Sequence, residues 1–221
     1  MPIIQITNGS FDSEKHEYLG ADGKEVPGVT SILEAHGFVD LDDIPGQVLL
    51  RKRDLGDAVH YASQIIDQDG EDALDWDTVH TACVPFVLAY QRFCEDCQFV
   101  PEKAWIERGI VGKINGMPVA GTPDRVGTMK GIKHRIVLDL KCAYAPQVSW
   151  KFQEAAYVSL VQATEGTKEH LARVTVQLKP DGTFKLHPYE NPRDLDTFVF
   201  ALALTHALIN EKLPWRKKEQ L

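Results

Sequence analysis

The middle of the chain holds five polar residues whose types could do chemistry together. In chain order they are Asp124, Asp139, Lys141, Gln153 and Tyr157. Carboxylates hold divalent cations through their oxygens, and cations held in this way neutralise the charge that develops when a phosphodiester is attacked. The two acids, the lysine and the polar pair together predict metal-dependent hydrolysis of phosphodiester bonds.

Asp139 and Lys141 belong to a short apolar run, Ile136–Lys141, that has a two-residue periodicity. This pattern predicts a strand, in which successive side chains point to opposite faces of the sheet. Leu138 and Leu140 should then pack in the core. The carboxylate and the ammonium therefore share the other face.

Asp124 and Asp139 are the expected ligands of two Mg²⁺ or Mn²⁺ ions. Magnesium prefers oxygen ligands in octahedral geometry and keeps several waters, so a few carboxylates and one carbonyl suffice. The backbone carbonyl of Leu140 can supply that further oxygen. Lys141 would help to deprotonate or orient the attacking water, or would stabilise the negative charge that forms around phosphorus. The sequence leaves these two roles open.

Gln153 and Tyr157 lie four residues apart in a segment, 146–163, that is predicted to be helical. Residues at this spacing share one helix face, and Trp150 lies just below them on that face. We expect the face to contact the scissile phosphate or a terminal base, with aromatic side chains stacking on a strand end. Alternatively, the amide and the hydroxyl satisfy buried backbone groups.

The length and composition predict one domain over residues 1–221, with 43% hydrophobic residues to form a single core. The predicted strands lie in the middle of the chain, and predicted helices precede and follow them. This order indicates an α/β or α+β fold with a central mixed β-sheet flanked by helices. We divide the domain into an N-terminal hairpin and helix (1–44), a helical segment carrying His60 (45–100), the catalytic sheet and helix (101–190), and a C-terminal helix and tail (191–221).

Hydrophobic periodicity and turn residues place the individual elements. Helices are predicted over 45–67, 77–97, 146–163 and 192–208. Strands are predicted over 104–113, 117–128 and 134–141, with hairpins over 16–26 and 171–188. A further helix should be capped by Thr30 or Ser31 and end at Gly37.

The formal charge of −8 argues against a general polyanion-binding protein, because non-specific affinity for nucleic acids comes from lysine and arginine. Binding of DNA would depend on local basic patches at 51–53, 130–135 and 216–218, each of which could equally be ordinary solvated surface. The chain has no signal-peptide pattern and no apolar run of about 20 residues. We therefore expect a cytoplasmic protein of a bacterial cell, of host or phage origin, without membrane association.

The order Asp124, then Asp139-Leu140-Lys141, then Gln153-x-x-x-Tyr157 resembles the PD-(D/E)XK nuclease superfamily, and within it the RecB-like exonuclease branch. The resemblance implies a restriction-endonuclease-like core and DNA as substrate. It also implies roles for two residues that precede the acids. His60, in Gly56-Asp-Ala-Val-His60, would bind a metal ion or a phosphate, and Glu107 would complete the metal shell.

The N-terminus, through His16-x-Tyr18 and the segment 26–33, also resembles phage-encoded members of this branch and the mitochondrial genome maintenance exonucleases. Leu55 stands where the branch commonly has arginine, so we expect Arg53 to make that phosphate contact. The four cysteines lack the one-plus-three arrangement of iron–sulfur relatives, and no iron–sulfur cluster is expected. Cys94 and Cys97 supply only half of a zinc site.

These observations predict a divalent-metal-dependent DNA exonuclease that acts on linear or single-stranded ends in phage or bacterial recombination, repair or genome processing. A single-strand annealing or recombination protein would be a natural partner. Two alternatives stay open, namely a catalytically silent module of the same fold that binds DNA ends, and an endonuclease. Polarity, strand preference, processivity, the choice of DNA over RNA and the oligomeric state are not encoded in these motifs.

Overall fold

The computed structural model describes residues 3–39 and 46–216. Residues 217–218 of the third basic patch lie outside that part of the chain, as does residue 45, where a helix was expected to begin. Within the described residues eleven strands form three sheets. The strands are β1 (Ile3–Ile6), β2 (Gly9–Asp12), β3 (Glu17–Gly20), β4 (Glu25–Val26), β5 (Val100–Pro101), β6 (Ile110–Ile114), β7 (Met117–Gly121), β8 (Arg125–Thr128), β9 (Ile136–Lys141), β10 (Ala172–Leu178) and β11 (Phe184–Tyr189).

Five α-helices accompany these sheets in the same residues: α1 (Val29–Ala35), α2 (Gly46–Asp69), α3 (Val84–Cys97), α4 (Ser149–Glu165) and α5 (Arg193–Asn210). All five predicted helices are present, and Gly37 follows the end of α1 with the expected positive φ. The N-cap of α1 is Gly28 and not Thr30 or Ser31. Helix α3 begins at Val84 and not near residue 77, because Pro85 suits only the first turn of a helix. None of the helices described is long and apolar enough to cross a membrane.

The central sheet has the strand order β11-β10-β9-β8-β5. Strands β9 and β10 run parallel, and α4 forms the crossover that a parallel pair requires. The other neighbouring strands of this sheet are antiparallel. The predicted α/β fold with a central mixed sheet flanked by helices is confirmed, and it is the type of core that the nuclease resemblance implied.

Strand β9 separates two hydrophobic cores. Leu138 and Leu140 pack with residues of α2 and α3, whereas Val137 packs on the opposite side with residues of α1, α4 and α5. The predicted alternation along this strand is therefore confirmed. Asp139 and Lys141 lie on the same side as Val137 and face α4.

Two strand predictions are wrong in ways that matter for the site. Residues 117–128 form two strands, because Pro123 has no amide hydrogen with which to continue a ladder, and Asp124 stands in the gap. Residues 104–113 contain the end of a 3₁₀ turn, Lys103–Trp105, and then a loop before β6. Glu107 therefore lies in a loop and not on a strand.

The N-terminal sheet has four strands in the order β1-β2-β3-β4, of which only the β3–β4 hairpin is predicted. Single bridges from Thr7 to Ile110 and from Gly28 to Ala120 join this region to the separate β6–β7 hairpin. The N-terminal segment is thereby attached to the strand that leads into the gap at Asp124.

Candidate active site

Asp124 is held in the gap between β7 and β8, beside strand β9. Its carboxyl group is buried, and Oδ2 accepts a hydrogen bond from the backbone nitrogen of Leu140 at 2.6 Å. Strand β8 pairs with β9 only as far as Arg125 opposite Leu138. The Asp124 carboxylate thus continues the pairing beyond the end of β8 and is fixed against the strand that carries Asp139.

Two further residues of the sequence motifs, Gly121 and Tyr18, make close contacts around this gap. A Cβ atom at Gly121 would lie 2.7 Å from Cε1 of Tyr157, so only glycine allows β7 to approach α4 this closely. The hydroxyl of Tyr18 lies 3.0 Å from Oγ1 of Thr122. A residue of the N-terminal motif therefore supports the turn that carries Asp124.

His60 reaches the acids from α2. Its Nε2 donates to the carbonyl of Leu140 at 3.1 Å, and Nδ1 lies 3.2 Å from Oε1 of Glu107 and 3.6 Å from Oδ2 of Asp124. Burial disfavours the charged ring, but the carboxylates of Asp124 and Glu107 outweigh it and raise the pKa of His60 to about 9. Without a metal ion the ring is therefore an imidazolium at neutral pH, and both nitrogens donate.

Glu107 has a φ of 49°, in the left-handed region that few residues other than glycine adopt. Such a conformation costs on the order of 1–3 kcal/mol and persists only where neighbouring contacts enforce it. Here the backbone amide of Glu107 donates to the carbonyl of Asp124 at 2.8 Å. This contact joins the loop to the gap and brings the Glu107 carboxylate to His60.

One ligand atom each from His60, Glu107 and Asp124 lies within 4.8 Å of the other two. One imidazole nitrogen and two carboxylate oxygens form a donor set suited to Mg²⁺ or Mn²⁺. Histidines that bind metals usually donate their second ring N–H to a carbonyl or carboxylate, as Nε2 of His60 does to Leu140. The residues therefore fit a divalent cation. The Leu140 carbonyl, expected as a metal ligand, accepts this bond from the histidine, and its role as a ligand stays a prediction.

Asp139 lies outside that group and pairs with Lys141, whose Nζ is 2.7 Å from its Oδ2. Burial raises the pKa of Asp139 to about 6; the positive charge of Lys141 opposes this rise and the negative charge of Asp124 adds to it. Burial lowers the pKa of Lys141, but the carboxylates of Asp139 and Asp124 outweigh burial and raise it overall. Lys141 is therefore an ammonium at neutral pH, placed to donate.

Glu154 is a buried acid that the sequence reasoning missed. Its side chain on α4 is inaccessible to solvent, one oxygen accepts a long hydrogen bond of 3.4 Å from Thr175, and the other has no hydrogen-bond partner. Burial and the charges of Asp139 and Asp124 raise the pKa of Glu154 well above its usual value. The sequence signal was a carboxylate directly after Gln153 in the predicted helix.

The predicted polar face of α4 is present but less open than expected. Gln153 and Tyr157 are both buried, and Nε2 of Gln153 donates to the Tyr157 hydroxyl at 2.9 Å. Trp150 is only 3% exposed, and its ring meets His187 edge-on. Trp150 thus lines the cleft with little of its ring exposed, and its expected role in stacking stays a prediction.

A cleft of about 630 Å³ lies beside the candidate site residues. Its walls include His60, Glu107, Lys141 and Gln153, together with two basic residues of α2, Lys52 and Arg53. Arg53 is exposed at the position expected for a phosphate contact. Tyr61, which is 66% exposed, is an open aromatic side chain on the same wall.

In the other two basic patches, one arginine each forms ion pairs with glutamates of the protein. Arg135, in the second patch, bonds to three glutamates: Glu102, Glu165 and Glu169. Arg216, at the start of the third, pairs with Glu17 and Glu25. Among the described residues of the three predicted patches, those on the cleft wall are Lys52 and Arg53 of the first patch.

No family model and no curated protein sequence matches this chain. The solved structures that resemble it include the following two. The crystal structure of SSO0001 is 16% identical with a TM-score of 0.38, over 82% of this chain and 84% of that one. The alkaline exonuclease LHK-Exo from Laribacter hongkongensis is 11% identical with a TM-score of 0.36, over 84% and 91% of the two chains. Sequence identities and TM-scores this low do not support a conclusion about function.

Proposed function

We propose that the protein is a divalent-metal-dependent nuclease that hydrolyses phosphodiester bonds of DNA from its ends. The observation that carries this proposal is the convergence of His60, Glu107 and Asp124 within 4.8 Å, with His60 and Glu107 on the wall of an open cleft. The Asp139–Lys141 ion pair lies on the adjoining strand. Structural ion pairs alone rarely combine a protonated histidine, buried acids and a cleft, whereas active sites commonly do.

His60, Glu107 and Asp124 would hold Mg²⁺ or Mn²⁺, and Asp139 would complete the set for a second ion. Bound ions of this kind supply an activated water and neutralise charge on the phosphoryl oxygens. Lys141 donates as an ammonium toward the negative charge that develops on those oxygens. The raised pKa of Lys141 supports this role over deprotonation of the water, because it keeps the side chain protonated.

The substrate would enter along the wall formed by α2 and the start of α4. Arg53 and Lys52 are placed for contacts with backbone phosphates, and the exposed ring of Tyr61 is available to a base. Gln153 presents an amide held by Tyr157. DNA as the substrate and attack at ends are the finer parts of the proposal, supported by the motif order of the RecB-like branch.

Digestion of end-labelled linear duplex and single-stranded DNA with Mg²⁺, Mn²⁺ or a chelator tests this function. We expect metal-dependent release of short products by the wild type and none by Asp139→Ala. The matched control is Asp96→Ala, which removes an exposed acid of α3. Cleavage by Asp139→Ala at the wild-type rate would contradict the proposal. Discrete products from closed circular DNA would indicate an endonuclease, and binding without cleavage a silent end-binding module.

A further inference from the structure

Arg125 directly follows Asp124 and is completely buried, one of the largest side chains in the protein to be so. A buried guanidinium needs partners for its five N–H groups, because an unpaired buried charge is strongly destabilising. Its Nη1 donates to Oε1 of Glu107 at 2.9 Å and to the carbonyl of Asp124 at 2.7 Å. Two of the three proposed metal ligands are therefore in direct contact with it.

The other nitrogens of Arg125 bind α2. Nη2 donates to Oγ of Ser63 at 3.0 Å, and Nε forms an ion pair with Asp67. Ser63 in turn donates to the carbonyl of His60 at 2.8 Å. His60, Ser63 and Asp67 are spaced three and four residues apart, so they lie on one face of α2. Arg125 thus also holds the helix that carries the third ligand.

Asp67 is fixed independently of Arg125. The hydroxyl of Tyr90, from α3, lies 2.8 and 2.7 Å from the two Asp67 oxygens, and the Asp67 side chain is 3% exposed. A continuous buried chain of polar contacts therefore runs from Tyr90 through Asp67 and Arg125 to Glu107. These contacts connect α3, α2, β8 and the loop that carries Glu107, whose backbone is in the left-handed region.

We propose that Arg125 is a positioning residue that sets the affinity of the site for its divalent cation, by fixing Glu107 and the α2 face that carries His60. The inference depends on the metal site of the proposed function. The planar guanidinium group of arginine can donate hydrogen bonds in three directions at once. Lysine has the same charge but cannot reproduce this geometry. Arg125→Lys therefore separates positioning from charge.

The test is calorimetric titration of the metal-free protein with Mn²⁺, at a temperature well below the unfolding midpoint of each variant. We expect Arg125→Lys to bind Mn²⁺ about 10- to 100-fold more weakly than the wild type, as is usual when a contact behind a metal ligand is lost. The matched control is Arg135→Lys, which changes another arginine with several carboxylate partners, remote from the cleft. It should lower stability and leave Mn²⁺ affinity unchanged.

A second substitution, Ser63→Ala, keeps the inference testable if Arg125→Lys folds poorly. Ser63→Ala removes one contact of Nη2 and keeps every charge; we expect Mn²⁺ affinity to fall by a few-fold, as for one lost hydrogen bond. In a Glu107→Gln background, Ser63→Ala or Arg125→Lys should weaken Mn²⁺ binding by much less than in the wild type, because Glu107 transmits part of the effect.

The outcomes separate the two proposals. A wild type that binds no Mn²⁺ would overturn the metal site itself and the proposed function with it. A wild type that binds Mn²⁺, with Arg125→Lys binding equally well at a lowered unfolding midpoint, would overturn only the positioning role. If the lysine variant does not fold, unchanged Mn²⁺ affinity in Ser63→Ala would have the same consequence.

Discussion

The Oδ2 atom of Asp124 lies 2.6 Å from the backbone nitrogen of Leu140, so one site acid is bonded to the strand that carries the other. The carbonyl of the same residue accepts a hydrogen bond from His60. Leu140 therefore aligns a carboxylate and an imidazole through its backbone alone, while its side chain remains in the core. Neither contact depends on the Leu140 side chain.

Replacing Asp124 with asparagine should lower the pKa of His60. The amide oxygen can still accept from the Leu140 nitrogen, but the negative charge that opposes the burial of the imidazolium is lost. We expect the pKa, followed by NMR of the ring protons in metal-free protein, to fall clearly from about 9. Nuclease activity should be lost with the fold intact, as judged by circular dichroism. An unchanged His60 pKa would show that Asp124 does not control the ring.

The metal-free protein should become less stable as the pH rises from 6.5 to 9. The pKa of His60 is about 9 in the folded state and about 6.5 when unfolded, so its contribution is complete below 6.5 and is lost as pH rises through 9. Asp139, whose pKa is raised to about 6, also makes the unfolding free energy decrease as the pH rises, but at lower pH. Urea unfolding with a chelator should show a decrease on the order of 1–3 kcal/mol.

His60→Gln provides the control for that titration, because it removes the group that titrates in this window. Its unfolding free energy should depend much less on pH between 6.5 and 9. A wild-type protein whose stability is constant or rises with pH in chelator would contradict the raised pKa of His60.

Removing the ammonium of Lys141 should reduce turnover more than substrate binding. In Lys141→Met, Asp139 loses the cation that is paired with it, and its pKa should rise further. Loss of one preorganised donor in the transition state typically costs about 10²–10³-fold in kcat. Steady-state kinetics on linear DNA should show that loss with little change in KM. A loss confined to KM would instead assign Lys141 to substrate binding.

Gly121→Ala and Gly56→Ala should have opposite effects on stability. A Cβ at Gly121 would lie 2.7 Å from the Tyr157 ring, and overpacking of this kind costs about 1–3 kcal/mol. At Gly56, inside α2, an added Cβ meets no atom within 4 Å, and alanine should stabilise the helix by up to about 1 kcal/mol. Thermal and urea unfolding measure both. Equal behaviour of the two variants would contradict the close approach of β7 to α4.

Arg53→Ala should weaken DNA binding without altering the chemistry. An exposed arginine on the cleft wall contributes by neutralising phosphate, so its loss should raise KM and reduce the dependence of binding on salt. Arg92→Ala removes an exposed arginine of α3 that does not line the cleft and serves as the control. Equal salt dependence of the wild type and Arg53→Ala would remove Arg53 from the DNA path.

The sequence predicted the elements that follow from periodicity. Strand β9 with its alternating residues, the helices around it and the turns between hairpins all depend on local patterns of apolar residues, glycine and proline. Asp124, Asp139 and Lys141 could be named as candidate site residues from the order of the motif along the chain. The break at Pro123 was also readable, although the apolar residues on either side favoured one continuous strand.

Other features of the site depend on contacts between residues far apart in the chain. The left-handed backbone of Glu107 is accompanied by a hydrogen bond from its amide to the carbonyl of Asp124, a contact that no local pattern encodes. Arg125 and Glu154 are buried titratable side chains, and sequence rules place such residues at the surface by default. The covered ring of Trp150 depends on its packing against His187 in β11.

Anomalous diffraction from crystals of the protein grown or soaked with Mn²⁺ tests the central claim most directly. We predict a manganese peak within about 2.0–2.3 Å of Nδ1 of His60 and of a carboxylate oxygen from each of Glu107 and Asp124. The Nε2 bond to Leu140 should be retained. No peak at these three residues, under Mn²⁺ concentrations that support cleavage in solution, would contradict the assignment of the metal site.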